Sequence, residues 1–322
     1  MVDVFKNSLP FANRALTFPS MKTIRYLAYS AAAVAYALMV LGAVVRITGS
    51  GLGCGDHWPL CNGRLIPPLD DYRTVLEWSH RQAAAVLSIL TLAVAVQAFR
   101  IRHERFGSGP GGTLRPAAAA IGLLIAQVML GAVTVWLQLP ASAVILHWGV
   151  ALLLVASLLV TALRATDGLE PCGGSVRKGA ITSAAALAAA VLLLGSLTAN
   201  LGAGPSCLGF PLCNGQLWPT AGNSGLPHIH WTHRLLAYAL FLHLLGVNMR
   251  YRKADAPPRI KQAAWTAFAT AGLQVVVAAL MVLTLLPPMW RAMHVAVGLA
   301  LWVVLVYSVW LVTDQPRGTV TT

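Results

Sequence analysis

The chain is predicted to be an all-α integral membrane protein, with eight transmembrane helices arranged as two tandem, pseudo-twofold-related four-helix bundles. Three observations predict this. Of 322 residues, 57% are hydrophobic and only 10% charged, where soluble domains carry about a quarter charged residues. Eight apolar stretches reach spanning length, with cores at 24–46, 77–99, 116–138, 143–164, 178–200, 229–249, 262–285 and 290–312. The second half also rewrites the first. GAVVRITGSGLGCGDHWPLCNG (42–63) answers to GSLTANLGAGPSCLGFPLCNG (195–215), and QVMLGAVTVWLQLP (127–140) to QVVVAALMVLTLLP (274–287).

Taken in order, residues 1–23 hold Lys6, Arg14 and Lys22 without an unbroken apolar core, so they read as a cytoplasmic segment rather than a signal peptide. In the first helix Ala35-Tyr36-Ala37 mimics a cleavage site, but its match to the fifth helix argues that it is retained. The N-terminal bundle is residues 24–164, with outer turns at Pro140 in this half and at Pro287-Pro288 in the other. Gly107–Thr113 is a flexible inner connector. A cytoplasmic linker, 165–176, leads to the C-terminal bundle, 177–313, and a tail, 314–322. Four spans per repeat make the repeats parallel, related by an axis along the membrane normal.

The formal charge of +13 is distributed by topology, which excludes nucleic acid as its reason. Seventeen of the 23 Lys and Arg fall on one side, among them Arg100, Arg102, Arg105, Arg115, Arg250, Arg252, Lys253, Arg259 and Lys261. That side is cytoplasmic, with both termini, in a plasma (inner) membrane protein. Cys54, Cys61, Cys207 and Cys213 then lie outside, where an oxidising environment favours Cys54–Cys61 and Cys207–Cys213 disulfides. Cys172 lies inside. Trp58, Trp78, Trp148, Trp231 and Trp290 read as outer-interface anchors.

Four histidines carry the chemistry. His80 matches His233 at an offset of 153, and His147 matches His294 at 147. An ionisable ring is costly in a bilayer and is kept there for function. Two histidines on different helices of one bundle suit axial ligation of a haem iron, the imidazole being a common ligand. A satisfied core histidine is the competing reading for any one of them, and four in register argue against it. His243 lacks a counterpart in the second helix and reads as a structural residue or as a contact that supports a ligand from behind.

Glu77 breaks the symmetry. It shares a helix face with His80 at i, i+3, whereas the second half has His230 in its place. A carboxylate beside an apolar cofactor can act as a base or proton acceptor; the competing role is an anion at a helix N-terminus. Arg81 and Arg234 are candidates for porphyrin propionates through bidentate pairing, or for interfacial snorkelling, with Arg46 and Arg291 further candidates of the same kind.

EWSHR (77–81), WTHR (231–234), the helix-borne His147 and His294, and the two CNG-ended cysteine loops together resemble the haem A synthase family of cytochrome oxidase biogenesis, in its bacterial form with paired outer cysteines. The resemblance covers about residues 24 to 313. It implies haem b between His233 and His294, haem O as substrate between His80 and His147, and Glu77 as the catalytic carboxylate. The substrate's ring methyl would become a formyl group by successive hydroxylations. It also implies that Cys54–Cys61 assists haem transfer and that Cys207–Cys213 is more structural. Expected partners are haem O synthase (protohaem farnesyltransferase) as donor, the cytochrome oxidase assembly machinery and an electron acceptor; no separate metal is expected, and a homo-oligomer is left open. If both histidines of the first bundle bind iron, either one leaves during turnover or water attacks with Glu77 as base. The alternatives are a di-haem electron-transfer cytochrome, a haem carrier and a quinone-linked thiol oxidoreductase.

Overall fold

The computed structural model describes residues 21–103, 107–109, 111–166, 169–172, 176–220 and 224–314. The terminal segments expected at 1–23 and 314–322 thus lie mostly outside the described residues, as does part of the 165–176 linker. Eight α-helices fill the described chain: α1 (Met21–Ile47), α2 (Tyr72–Arg100), α3 (Leu114–Trp136), α4 (Ala141–Arg164), α5 (Gly179–Asn200), α6 (Leu226–Lys253), α7 (Pro258–Leu283) and α8 (Pro288–Thr313). No strand occurs among the described residues.

Seven of the helices are long and apolar enough to cross a membrane. The eighth expected span, α6, has the length but not the composition. Its first turns carry His228, His230, His233 and Arg234, and its last carry Arg250, Arg252 and Lys253. It nevertheless packs between α5 and α7, which both qualify. The protein is a multi-pass membrane protein.

Helices α1 to α4 close on one another in the order α1, α2, α3, α4, with α4 returning to α1; α5 to α8 do the same. The two sets meet where α1 and α4 touch α5 and α8. A continuous apolar core runs through all eight helices. Polar contacts cross the seam as well: Trp302 Nε1 donates to the Leu152 carbonyl (3.0 Å) and the Tyr36 hydroxyl to the Ala296 carbonyl (2.8 Å).

The end of the seam where α4 and α8 finish is closed by an ion pair. Arg164 grips Asp314 with two bonds, Nε at 2.7 Å and Nη2 at 2.8 Å. The side chains are only 19% and 10% exposed. Such a pair ranks between a surface pair, worth about 0–1 kcal/mol, and a buried one whose breakage costs about 3–5 kcal/mol. Asp314→Asn is therefore expected to destabilise the fold by about 1–3 kcal/mol. Thermal unfolding in detergent, followed by tryptophan fluorescence, measures this; an unchanged midpoint would remove the pair from the list of fold determinants.

Matching turns end the helices. Gln138 and Leu139 have φ of 59° and 63°, and Leu285 and Leu286 both have 63°, placing the same two-residue left-handed turn before α4 and α8. The loops after α1 and α5 share a second device. Asn62-Gly63 (φ 50°, 76°) and Asn214-Gly215 (51°, 76°) form turns with positive φ at both central positions, the geometry for which Asn-Gly is favoured. These turns bring Cys61 opposite Arg64 and Cys213 opposite Gln216, and both expected disulfides, Cys54–Cys61 and Cys207–Cys213, are formed. Cys172 is in neither.

Helix α2 begins five residues before its apolar core. Asp71 caps it, accepting from the Thr74 backbone N–H (3.0 Å). That bond, ahead of the other contributions, holds the Asp71 carboxyl below the usual carboxylate range. Thr74 also donates to the Gly53 carbonyl (2.9 Å), docking the loop that precedes α2 on its first turn. Hydropathy misses such a start because a capped polar turn is satisfied without apolar burial.

Candidate functional site

The earlier helix starts move the histidines deeper than the sequence suggests. His80 and His233, expected at the openings of their helices, lie eight and seven residues inside α2 and α6; His147 and His294 each lie six inside α4 and α8. At 1.5 Å per residue all four sit about 9–12 Å down their helices from the same end. The His233 and His294 rings lie nearly perpendicular, at 77°, with centroids 6.4 Å apart. His80 and His147 occupy the matching positions on α2 and α4.

Two glycines create the space. A Cβ on Gly42 of α1 would stand 3.0 Å from His80 Cε1, and one on Gly195 of α5 would stand 2.9 Å from His233 Cε1. Any other residue at either position would push the ring. Gly42 and Gly195 are also offset by 153, so the same seat is built twice.

Each partner histidine meets a glutamine. The Gln127 amide nitrogen lies 3.0 Å from His147 Nε2, and the Gln274 amide nitrogen lies 3.0 Å from His294 Nδ1 and 2.9 Å from the His294 carbonyl. Nδ1 of His80, His147 and His233 is buried without a hydrogen-bond partner. Buried polar atoms are ordinarily satisfied, so these rings fit a role met by a bound group. Two imidazole nitrogens each bonded to one metal at about 2.0–2.1 Å place their rings on the order of 6 Å apart. The His233–His294 spacing therefore fits a bis-histidine iron, and both pairs offer the neutral-nitrogen donors that haem takes. The site is a two-residue pair; no cluster of three or more His, Cys, Asp or Glu able to hold an ion occurs among the described residues.

Glu77 is buried, 4% exposed. Its carboxylate is not bonded to the neighbouring His80 ring. Oε2 accepts from the backbone N–H of Cys54 (2.8 Å) and Oε1 from Arg81 Nη2 (2.5 Å). Arg81 Nη1 donates onward to the carbonyls of His57 and Leu60, both at 2.7 Å, inside the Cys54–Cys61 ring. In the second half His230 stands in the Glu77 position. Its Nδ1 donates to the Ala203 carbonyl (3.2 Å) and its Nε2 accepts from Arg234 Nε (3.2 Å), a pattern met by one neutral tautomer. Arg234 also donates to the carbonyls of Gly209 (2.9 Å), Leu212 (3.0 Å) and Cys207 (2.5 Å). Both arginines thus divide their donors between loop carbonyls and the residue four positions earlier on their own helix.

The other polar residues divide cleanly. His243 binds Ser183 and the Ala180 carbonyl, both at 2.9 Å, and ties α6 to α5 as a structural residue. Trp231, expected at the interface, is instead 2% exposed and packs against Cys207 and Cys213; its position on the inward face of α6 overrides the interfacial preference. Arg46 binds Asn200 Oδ1 (2.8 Å) and the Ala199 carbonyl (3.1 Å), and lies within electrostatic range of Arg291. Gly42, Gly195, Gln127 and Gln274 were not singled out from the sequence. The signal was present, since each occupies the same place in both repeats.

Residues 25–306 match the sequence profile of the cytochrome oxidase assembly protein family COX15-CtaA. Among curated proteins, the chain is 32% identical over 314 residues to a "Heme A synthase" of Symbiobacterium thermophilum, covering 93% of this chain and 99% of that one. It is 34% identical over 214 residues to a "Heme A synthase" of Alkalihalophilus pseudofirmus, covering 65% and 69%. A "Heme A synthase" of Halalkalibacterium halodurans is 34% identical over 218 residues, covering 66% and 70%.

Proposed function

The chain belongs to the COX15-CtaA family of cytochrome oxidase assembly proteins, and from that premise we propose that it is a haem A synthase. It is a membrane oxidoreductase that oxidises the ring methyl group of haem O to a formyl group by successive hydroxylations, giving haem A for terminal oxidases. The observation that carries the reading beyond family membership is asymmetry within a repeated frame. Both halves share a glycine-seated histidine, a glutamine-contacted histidine and an arginine-held disulfide loop. Only the first half adds a buried carboxylate.

The helix order supports two tandem four-helix bundles, 24–164 and 177–313, related by a pseudo-twofold axis along the membrane normal, with cytoplasmic segments at 1–23, 165–176 and 314–322. In the C-terminal bundle His233 and His294 would hold haem b, which supplies one-electron transfer when bound. In the N-terminal bundle His80 and His147 would orient the substrate haem O, with Glu77 placed to take up protons as the methyl group is oxidised. His230 offers only a neutral base already committed to Ala203 and Arg234, which suits an electron-transferring half. The loop carbonyls already bonded to Arg81 and Arg234 favour a clamping role over propionate binding. Arg46 and Arg291, with no carboxylate partner among the described residues, offer positive charge near the outer ends of α1 and α8 instead.

The predominance of basic residues on one side supports a plasma-membrane topology with both termini cytoplasmic and the haem sites toward the outside. Haem O synthase is the expected donor and the oxidase assembly machinery the recipient. Expression with a source of haem O, followed by pigment extraction and mass analysis, tests the function. Haem A is the expected product. Haem O returned unmodified would convert the reading to a carrier, and preparations without low-spin haem bands would overturn haem binding altogether.

A further inference from the structure

We propose that Arg81 is a positioning residue that locks Glu77 to the Cys54–Cys61 loop, so that the closed disulfide ring sets where the carboxylate stands. The inference rests on Glu77 being the catalytic carboxylate.

The contacts form a closed circuit. Cys54 is one end of the disulfide, and its N–H holds Glu77 Oε2 at 2.8 Å. The other oxygen is held by Arg81 Nη2, while Nη1 of the same guanidinium reaches the carbonyls of His57 and Leu60 between the two cysteines. The loop is pinned from beneath as well, by Thr74 on the Gly53 carbonyl and by Asn62 Nδ2 on the same oxygen (3.3 Å). Both carboxylate oxygens are therefore fixed by groups whose placement depends on one seven-residue separation closed by sulfur. Arg81 is 14% exposed and Glu77 5% by side chain, so water competes little for these bonds.

The second half shows what the circuit is without its carboxylate. Arg234 reaches the Cys207, Gly209 and Leu212 carbonyls in the same way, but the partner on its own helix is a neutral ring. The clamp is therefore an architectural device common to both loops, and in the first half it is turned on the group that does the chemistry. The planar fork of arginine is required, because one donor edge must serve the carboxylate while the other serves two carbonyls.

The test uses full-length protein in detergent, with haem O turnover, the haem b absorbance and thiol labelling after limited dithiothreitol treatment read on each variant. For Arg81→Gln, kcat is expected to fall by roughly tenfold or more with KM changed less than about threefold, the pattern of lost transition-state positioning. Haem b absorbance should be unchanged. Labelling should rise at Cys54 and Cys61 and stay constant at Cys207 and Cys213 in the same molecule. Arg81→Lys should be intermediate on both readouts, and it decides the matter if the glutamine variant fails to assemble. Unchanged kcat and labelling in the lysine and glutamine variants would overturn the proposal. So would a raised KM with intact kcat, which is the signature of a substrate-carboxylate ligand. Full activity of Glu77→Gln would instead remove the catalytic premise, while labelling at Cys54 and Cys61 would still report whether the loop and Arg81 are coupled.

Discussion

Glu77→Gln is expected to lower haem A formation by about 10²–10⁴-fold, the range general acid–base catalysis contributes, while haem b stays bound. The substitution is nearly isosteric, and the glutamine oxygen can still accept from the Cys54 N–H that now holds Oε2 at 2.8 Å. What disappears is the proton-accepting carboxylate and its pairing with Arg81. Arg81 keeps its bonds to the His57 and Leu60 carbonyls, so its guanidinium is not left bare. The fold should therefore survive, with the haem b band proposed for the other half as its internal control. Extracted pigments separated and weighed by mass spectrometry give the answer. Accumulation of haem O, or of a partly oxidised intermediate, supports the assignment. Haem A at the wild-type level from Glu77→Gln membranes would remove Glu77 from the chemistry.

The repeat is what made this site legible. A lone intramembrane histidine says little, but His80 with His233 and His147 with His294 at two fixed offsets identify paired sites before any coordinates. The same comparison isolates Glu77, since a carboxylate facing His230 in the alignment cannot be part of the common frame. The disulfides were equally readable, because loops assigned to an oxidising exterior each hold one close cysteine pair. What escaped was of four kinds. Helix α2 starts early because Asp71 satisfies its first turn, a saving invisible to hydropathy. Gly42 and Gly195 act by what they lack, and among 28 glycines nothing local marks these two. The loop carbonyls that Arg81 and Arg234 bind could not be foreseen either, because every residue carries a carbonyl and no sequence distinguishes one from another. Helix α6 failed the apolarity expected of a span because its site residues are polar: the feature that makes it useful also lowers its hydropathy.

Gly195→Val and Gly42→Val are expected to separate the two halves by spectrum and product. Valine is stiff at χ1 in a helix, so the side chain cannot swing clear. Its Cβ would meet His233 Cε1 at 2.9 Å in one half and His80 Cε1 at 3.0 Å in the other. Overpacking of this kind costs about 1–3 kcal/mol, which the extended helical core can absorb, but the imidazole must shift. A displacement of about 1 Å is enough to cost roughly 10²-fold in a reaction that depends on alignment. Gly195→Val should therefore lose the haem b absorbance, and with it haem A formation if electrons pass through that half. Gly42→Val should keep the haem b absorbance and still fail to make haem A, because only His80, the proposed substrate ligand, is moved. Reduced-minus-oxidised spectra and pigment extraction on the two variants distinguish the cases. Haem b retained in full by Gly195→Val would mean that the glycine does not seat a ligand. Haem b lost equally from both variants would mean that the two pairs do not hold separate groups, and the division of labour argued from Glu77 and His230 would fall with it.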